Sequence, residues 1–215
     1  MNEISIKQYL ADPCRTLATA FWKEAHFPKP QGLQIFHADD APTGFAKDAT
    51  SYFRLIHHLQ NIPNTTLPAH FALRNVILPQ EAATAAEIIN QSYPDMAQTA
   101  ERVISWTNYP VFDKDLWLFI WDETTNSPAA LGIADFDSSI GEGSLEWIQV
   151  LPEYRGRGLG QNIVTGLLTR LKNKAKFATV SGQKDNPSDP EGLYRKCGFT
   201  GSDIWYVKFS REMDI

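Results

Sequence analysis

The residues best suited to chemistry lie in one short run, Val150-Leu151-Pro152-Glu153-Tyr154-Arg155-Gly156-Arg157-Gly158-Leu159-Gly160. Its glycines let the backbone approach a ligand closely and turn several N–H groups one way. A helix starting here adds the partial positive charge of its N-terminus. Arg155 and Arg157 add full charges. Together these describe a site for a phosphate-bearing anion; the plainer alternative is a tight turn with its arginines in solvent. Two common phosphate patterns do not fit. GxxxxGK[ST] is absent, and GxGxxG meets Gln161 or Ile163 where its third glycine should stand.

Such a loop needs a strand before it and a helix after it. Residues 144–151 read as a strand closed by Pro152. Residues 162–174 read as a helix, with Ile163, Val164, Leu167, Leu168 and Leu171 on its apolar side. A strand at 177–181 follows, then a short helix from Asp189-Pro190 to Lys196, ended by Gly198 as a C′ glycine, then a strand at 204–209. Upstream, strands are expected at 71–78, 116–121 and 129–136, with helices at 79–91 and 96–106. The first third is harder to read. Asp12-Pro13 is a helix start, 16–25 is expected to be helical, and 33–36 is a short strand. Tyr52, Leu55, Ile56 and Leu59 recur at the spacing of an amphipathic helix. Strands in a run followed by βαβα indicate an α+β protein, a mixed sheet flanked by helices.

Composition narrows the function. The 215 residues carry 20 basic and 25 acidic side chains, a formal charge of −5, which argues against a general nucleic-acid binder. The charges segregate. Residues 109–146 hold eight acids and one base, whereas 154–176 hold six bases and no acid. These spans are either solvated faces or opposite ends of one site, for a cationic and an anionic ligand. Two cysteines build no disulfide framework. The first residues lack the basic and apolar regions of a signal peptide, and the apolar run 116–121 is too short to cross a bilayer. A cytoplasmic protein with no membrane partner is expected. His57 and His58 are adjacent and outside any HExxH pattern, so they read as structural and no metal is expected.

The loop also matches Arg-x-x-Gly-x-Gly, from Arg155 to Gly160, after Val-x-Pro. Downstream, Leu193-Tyr194-Arg195-Lys196-Cys197-Gly198-Phe199 forms a second block. In this order, with helix and strand between them, the two blocks closely resemble the GNAT N-acetyltransferase superfamily, in its bacterial-type, single-domain form, over roughly residues 70–210. The resemblance implies a mostly antiparallel central sheet, splayed at the acyl-CoA site and flanked by helices. Residues 67–215 would be the acetyltransferase domain and 1–66 an N-terminal extension packing on it. Ile148, Gln149 and Val150 match the strand that receives the pantetheine arm of acetyl-CoA, the implied cosubstrate. The backbone from Arg155 through Gly156, Arg157, Gly158 and Leu159 to Gly160 matches the diphosphate loop. Tyr194 matches the general acid that protonates the leaving thiolate. Asn186 resembles a pantetheine contact, but it stands eight residues before Tyr194 instead of seven, and Pro187 holds the expected place. The family's final two-strand hairpin has only about ten residues left after Phe199.

An amine must lose a proton before it attacks a thioester. Glu146 is the candidate base, acting directly or through water; it precedes Ile148 and Val150 by two and four residues, so all three side chains are expected on one sheet face. The aromatics of the first third, Trp22, Phe27 and Tyr52 among them, either line an acceptor pocket or serve as core. The leading expectation is acetyl transfer from acetyl-CoA to the primary amine of a small cationic acceptor, by direct attack in a ternary complex. The alternatives are a transferase for protein N-termini or lysines and a non-catalytic acyl-CoA-binding module. A homodimer is left open.

Overall fold

The computed structural model describes residues 4–92 and 96–209. The chain opens with three short helices, α1 (Ile6–Ala11), α2 (Pro13–Thr16) and α3 (Phe21–His26). Strands β1 (Leu33–His37), β2 (Thr50–His57) and β3 (Phe71–Asn75) follow, then helices α4 (Ala82–Ser92) and α5 (Ala100–Ser105). Three strands come next: β4 (Trp117–Asp122), β5 (Ser127–Asp137) and β6 (Glu142–Val150). The chain continues through α6 (Leu159–Leu171), β7 (Phe177–Gln183), α7 (Pro190–Lys196) and β8 (Thr200–Phe209). Among the described residues, no helix is long and apolar enough to cross a membrane.

All eight strands form one mixed sheet in the order β1-β8-β2-β7-β6-β5-β4-β3. Every neighbouring pair is antiparallel except β6 and β7. α6 covers one face. Gly132 and Gly143 let it settle there, since a Cβ on either would lie 2.7 Å from Ile163 or 2.6 Å from Leu171. The opposite face carries α5, whose following turn stacks Trp106 on Trp147, and the N-terminal helices. Leu118, Phe119, Leu131, Ile163, Leu167 and Val180 belong to the buried core between these layers.

Two expectations for the first third are corrected. The spacing of Tyr52, Leu55, Ile56 and Leu59 reads as helical, yet 50–57 is a strand. β2 pairs with β7 on one edge and β8 on the other. β2 puts apolar side chains on both of its faces, at Tyr52, Phe53, Leu55 and Ile56 with Arg54 between them, so its period of two is masked and a helical period can be drawn through it. β2 also stands beside β8 as the partner that the short C-terminal hairpin lacks. Residues 16–25 are not one helix either. Leu17 is extended at the end of α2, and α3 begins at Phe21.

A buried polar knot joins the N-terminal segment to the sheet. Glu142 on β6 is 1% exposed and Arg54 on β2 is 2% exposed. Glu142 accepts hydrogen bonds from the Tyr9 hydroxyl (2.6 Å), the Thr179 hydroxyl (2.6 Å) and the Phe21 backbone N–H (3.1 Å). Arg54 lies 3.4 Å from Glu142 and donates to Tyr9 (2.9 Å) and Ser181 (3.0 Å). Removing one member of such a set leaves a buried charge unpaired, which costs about 3–5 kcal/mol. Glu142→Ala is therefore expected to lower urea stability by that order and to speed amide exchange in residues 4–26. The double replacement Arg54→Met with Glu142→Leu should recover part of the loss.

Candidate active site

The glycine-rich loop follows β6 directly. After one 3₁₀ turn over Pro152–Tyr154, Gly156 and Gly158 take left-handed conformations with φ of 76° and 77°. Gly158 is the N-cap of α6, so the first-turn N–H groups of Leu159, Gly160 and Gln161 have no partner within the helix. Arg155 folds back to donate to the Val150 carbonyl at 3.2 Å. Arg157 donates to the Glu153 carbonyl at 3.2 Å and lies 5.3 Å over the Tyr154 ring. Both arginines and both of these glycines are exposed, whereas the Leu159 side chain is buried and anchors the helix. Gly160 brings α6 close to α7: a Cβ there would lie 3.2 Å from Leu193. The loop presents oriented N–H groups and two guanidiniums to solvent, an arrangement that can hold a diphosphate.

Beside the loop the sheet opens. β6 and β7 pair only from Glu142 with Phe177 to Leu145 with Val180. Beyond that point β6 stays paired with β5 alone, through Ile148 with Gly132, Gln149 with Leu131 and Val150 with Ala130. The β7-facing backbone groups of 146–150 are left beside a gap without a strand partner. Such groups need hydrogen bonds from elsewhere, and an amide-rich ligand arm is one source.

Glu146 does not share a face with Ile148 and Val150. The β5–β6 register passes from Ile133 with Trp147 to Ala134 with Leu145, so Glu146 is the extra residue of a bulge. Ile148 pairs with Gly132, which lies under α6, while Trp147 stacks on Trp106 across the sheet. The bulge turns Glu146 to the Trp147 side, where it accepts from the Ser144 hydroxyl at 2.8 Å. There it forms an ion pair with Lys23 of α3. Burial works against the Lys23 ammonium, but Glu146 outweighs it and the amine is held charged, above its ordinary value. Asp135 stands close by. Burial, and then the Glu146 charge, push its carboxyl well above the usual range, with Lys23 offsetting only part of the rise.

Two cavities meet at this cluster, and Lys23 and Glu146 line both. One, of about 310 Å³, reaches Leu145, Val180 and Ser181 at the mouth of the gap and is roofed by residues 18–20. The other, of about 280 Å³, contains Asp135 among aromatic rings, including Trp22 and Phe27 from the first third. Tyr52 lines the first cavity, whereas Tyr9 and Phe53 are core. Asp137, also in the acid-rich span, caps its own turn by accepting from Ser139 N–H (2.9 Å) and Oγ (2.5 Å).

Tyr194 lies on the other side of the sheet. It is buried on α7 against Phe199 (5.7 Å between ring centres) and Phe53 (6.0 Å). Phe53 points away from the face of its neighbour Arg54, which joins Glu142. Tyr194 and Glu146 thus occupy opposite faces. Asn186 builds a turn, accepting from Ser188 N–H (2.9 Å) and Oγ (2.8 Å), ahead of the Asp189 cap of α7. Among the described residues no group of three His, Cys, Asp or Glu side chains is arranged to hold a metal. Sequence reasoning missed Lys23, which stands in no motif, and the pairing of Trp106 with Trp147, which no spacing announces.

Residues 116–201 match the family model for an acetyltransferase (GNAT) domain. No curated protein matches the chain in sequence. A GCN5-related N-acetyltransferase from Sphaerobacter thermophilus superposes with a TM-score of 0.62 at 18% identity, over 74% of this chain and 50% of that one. The ribosomal-protein-S18-alanine N-acetyltransferase of Escherichia coli gives 0.51 at 14% identity, over 67% and 99%. A tandem GNAT protein from the clavulanic acid biosynthesis pathway gives 0.53 at 14% identity, over 74% and 53%. The chain spans about half the length of the Sphaerobacter and tandem proteins.

A carboxyl whose folded pKa lies above its unfolded value, about 3.9 for aspartate, stabilises below that value and loses the contribution as pH rises through the folded pKa. Asp135 therefore weighs on the fold at neutral pH. Asp135→Asn should raise the melting temperature by a few degrees at pH 7 and leave it nearly unchanged at pH 3.

Proposed function

The chain belongs to the GNAT acetyltransferase superfamily through its residues 116–201, and on that premise we propose that it transfers an acetyl group from acetyl-CoA to the primary amine of a small cationic acceptor. The observation that carries this reading is the parting of β6 from β7 after Leu145 and Val180, next to the Arg155–Gly160 loop. In this reading the loop N–H groups and both guanidiniums take the diphosphate. The pantetheine arm lies along Ile148, Gln149 and Val150, and the thioester reaches the cavity beside Glu146.

The amine nitrogen attacks the thioester carbonyl carbon. A C–N bond forms, the C–S bond breaks, and the amine proton passes to Glu146 directly or through water. The departing thiolate takes a proton from the Tyr194 hydroxyl; free tyrosine has a pKa of about 10 and a free thiol about 8.5. Direct attack is supported by the state of the cysteines. Burial pushes both Cys14 and Cys197 up to about 12, so neither supplies a thiolate to carry the acetyl group at neutral pH. Asn186, turned onto Ser188, is the weakest of the cofactor assignments.

Transfer to a protein N-terminus or lysine would need an open groove. Cavities of about 310 and 280 Å³, with residues 18–20 over the first, favour a small acceptor.

Calorimetry should show one acetyl-CoA bound per chain. Gly158→Ala, which forces a side chain onto a left-handed residue, should weaken binding by about tenfold or more. Tyr194→Phe should keep acetyl-CoA affinity while turnover falls on the order of 10²-fold. Unchanged turnover would remove Tyr194 from the chemistry, and no calorimetric heat would remove the reading itself.

A further inference from the structure

The aromatic cavity carries a chemical preference of its own. Four of the chain's six tryptophans line it, Trp22, Trp106, Trp117 and Trp147, together with Phe27 and Tyr109. Trp106 and Trp147 lie parallel within 6° at 5.7 Å between centres, and Trp22 packs on Tyr109 at 5.4 Å. Flat apolar walls of this kind favour flat apolar guests.

The same cavity holds two carboxyl groups, Glu146 and Asp135. Glu146 is already matched by Lys23. Asp135 makes no hydrogen bond or ion pair among the described residues, so it is the carboxyl left to meet an incoming cation. Lys23 shows that a cation can be held here, since its ammonium sits on Glu146 and 5.9 Å from the centre of the Trp22 ring. A polyamine would find a carboxylate for one ammonium only. Its second would meet Arg102, the other basic residue of the lining, which stands exposed.

We infer that the acceptor is a monoamine carried on an aromatic ring, the ring lying among Trp22, Trp106 and Trp147 and the ammonium taken by Asp135. This rests on the transferase reading for its chemistry, but not for its binding. Ammonium binding gives Asp135 a close partner of its own, which Lys23, seated on Glu146, does not supply. The nitrogen then lies at the Asp135–Glu146 end of the cavity, and Glu146 also lines the neighbouring cavity at the gap.

The inference is tested by titrating the full chain, without acetyl-CoA, with 2-phenylethylamine, 2-phenylethanol and putrescine, while following tryptophan fluorescence. Saturable binding of 2-phenylethylamine is expected, with 2-phenylethanol and putrescine at least about tenfold weaker. Asp135→Asn, which keeps the side-chain volume, should weaken the aromatic amine to the level of the neutral alcohol. Trp106→Ala should weaken 2-phenylethylamine and leave putrescine unaffected. Equal binding of amine and alcohol, unchanged binding in Asp135→Asn, or a preference for putrescine would each overturn the inference. Turnover with acetyl-CoA separates the two readings. Faster acetylation of putrescine or of a peptide N-terminus than of 2-phenylethylamine would reject the aromatic acceptor and leave the transferase intact. Saturable amine binding without acetyl-CoA heat would do the reverse.

Discussion

The contact between Glu142 and Arg54 holds the molecule's two parts in one sheet. β2 comes from the first third of the chain and β6 from the last, with β7 between them in the sheet. Their charges meet over β7, where both Thr179 and Ser181 take part. A charge removed from water is costly unless it is paired and hydrogen-bonded. Glu142 meets that demand by drawing in Tyr9 of α1 and the Phe21 N–H of α3. The three N-terminal helices are thereby set against the sheet next to the place where it opens.

That placement makes the candidate site. α3 brings Lys23 to Glu146, and residues 18–20 roof the cavity at the gap. A residue earlier, Trp22 turns toward the second cavity. The bulge at Glu146 matters as much. By shifting the strand's phase it lets Glu146 and Trp147 face the N-terminal layer while Ile148 faces α6. Tyr194 stays on the far face, so the two candidate proton-transfer groups lie on opposite sides of the sheet.

The acid end of the aromatic cavity is held at a cost. Asp135 and Glu146 crowd one ammonium, and burial makes the second negative charge expensive. A fold selected for stability alone would place an asparagine or an apolar residue there. The arrangement is more easily understood as a binding feature whose partner is a cation. Functional sites commonly carry such locally unfavourable groups, offset by the packing around them.

The sequence alone determined the loop, the order of elements from β3 to β8 and the family resemblance, because those features are local. Gly156, Gly158 and the start of α6 lie within a few residues of each other, and strand–turn–helix chemistry is written in neighbours. The helix α6 was legible from its apolar stripe, and α7 from Asp189-Pro190 and Gly198. Tertiary structure decided what depends on partners distant in sequence. β2 is a strand because β7 and β8 take its hydrogen bonds on both edges, which no local period can express. Glu146 changes face because β5 imposes a bulge. Lys23 reaches Glu146 across 123 positions of sequence, and Trp106 meets Trp147 only because α5 packs over β6. A cavity assembled from α3, the chain around α5 and strands β4, β5 and β6 has no local signature, for its walls become neighbours only when burial of the core brings them together.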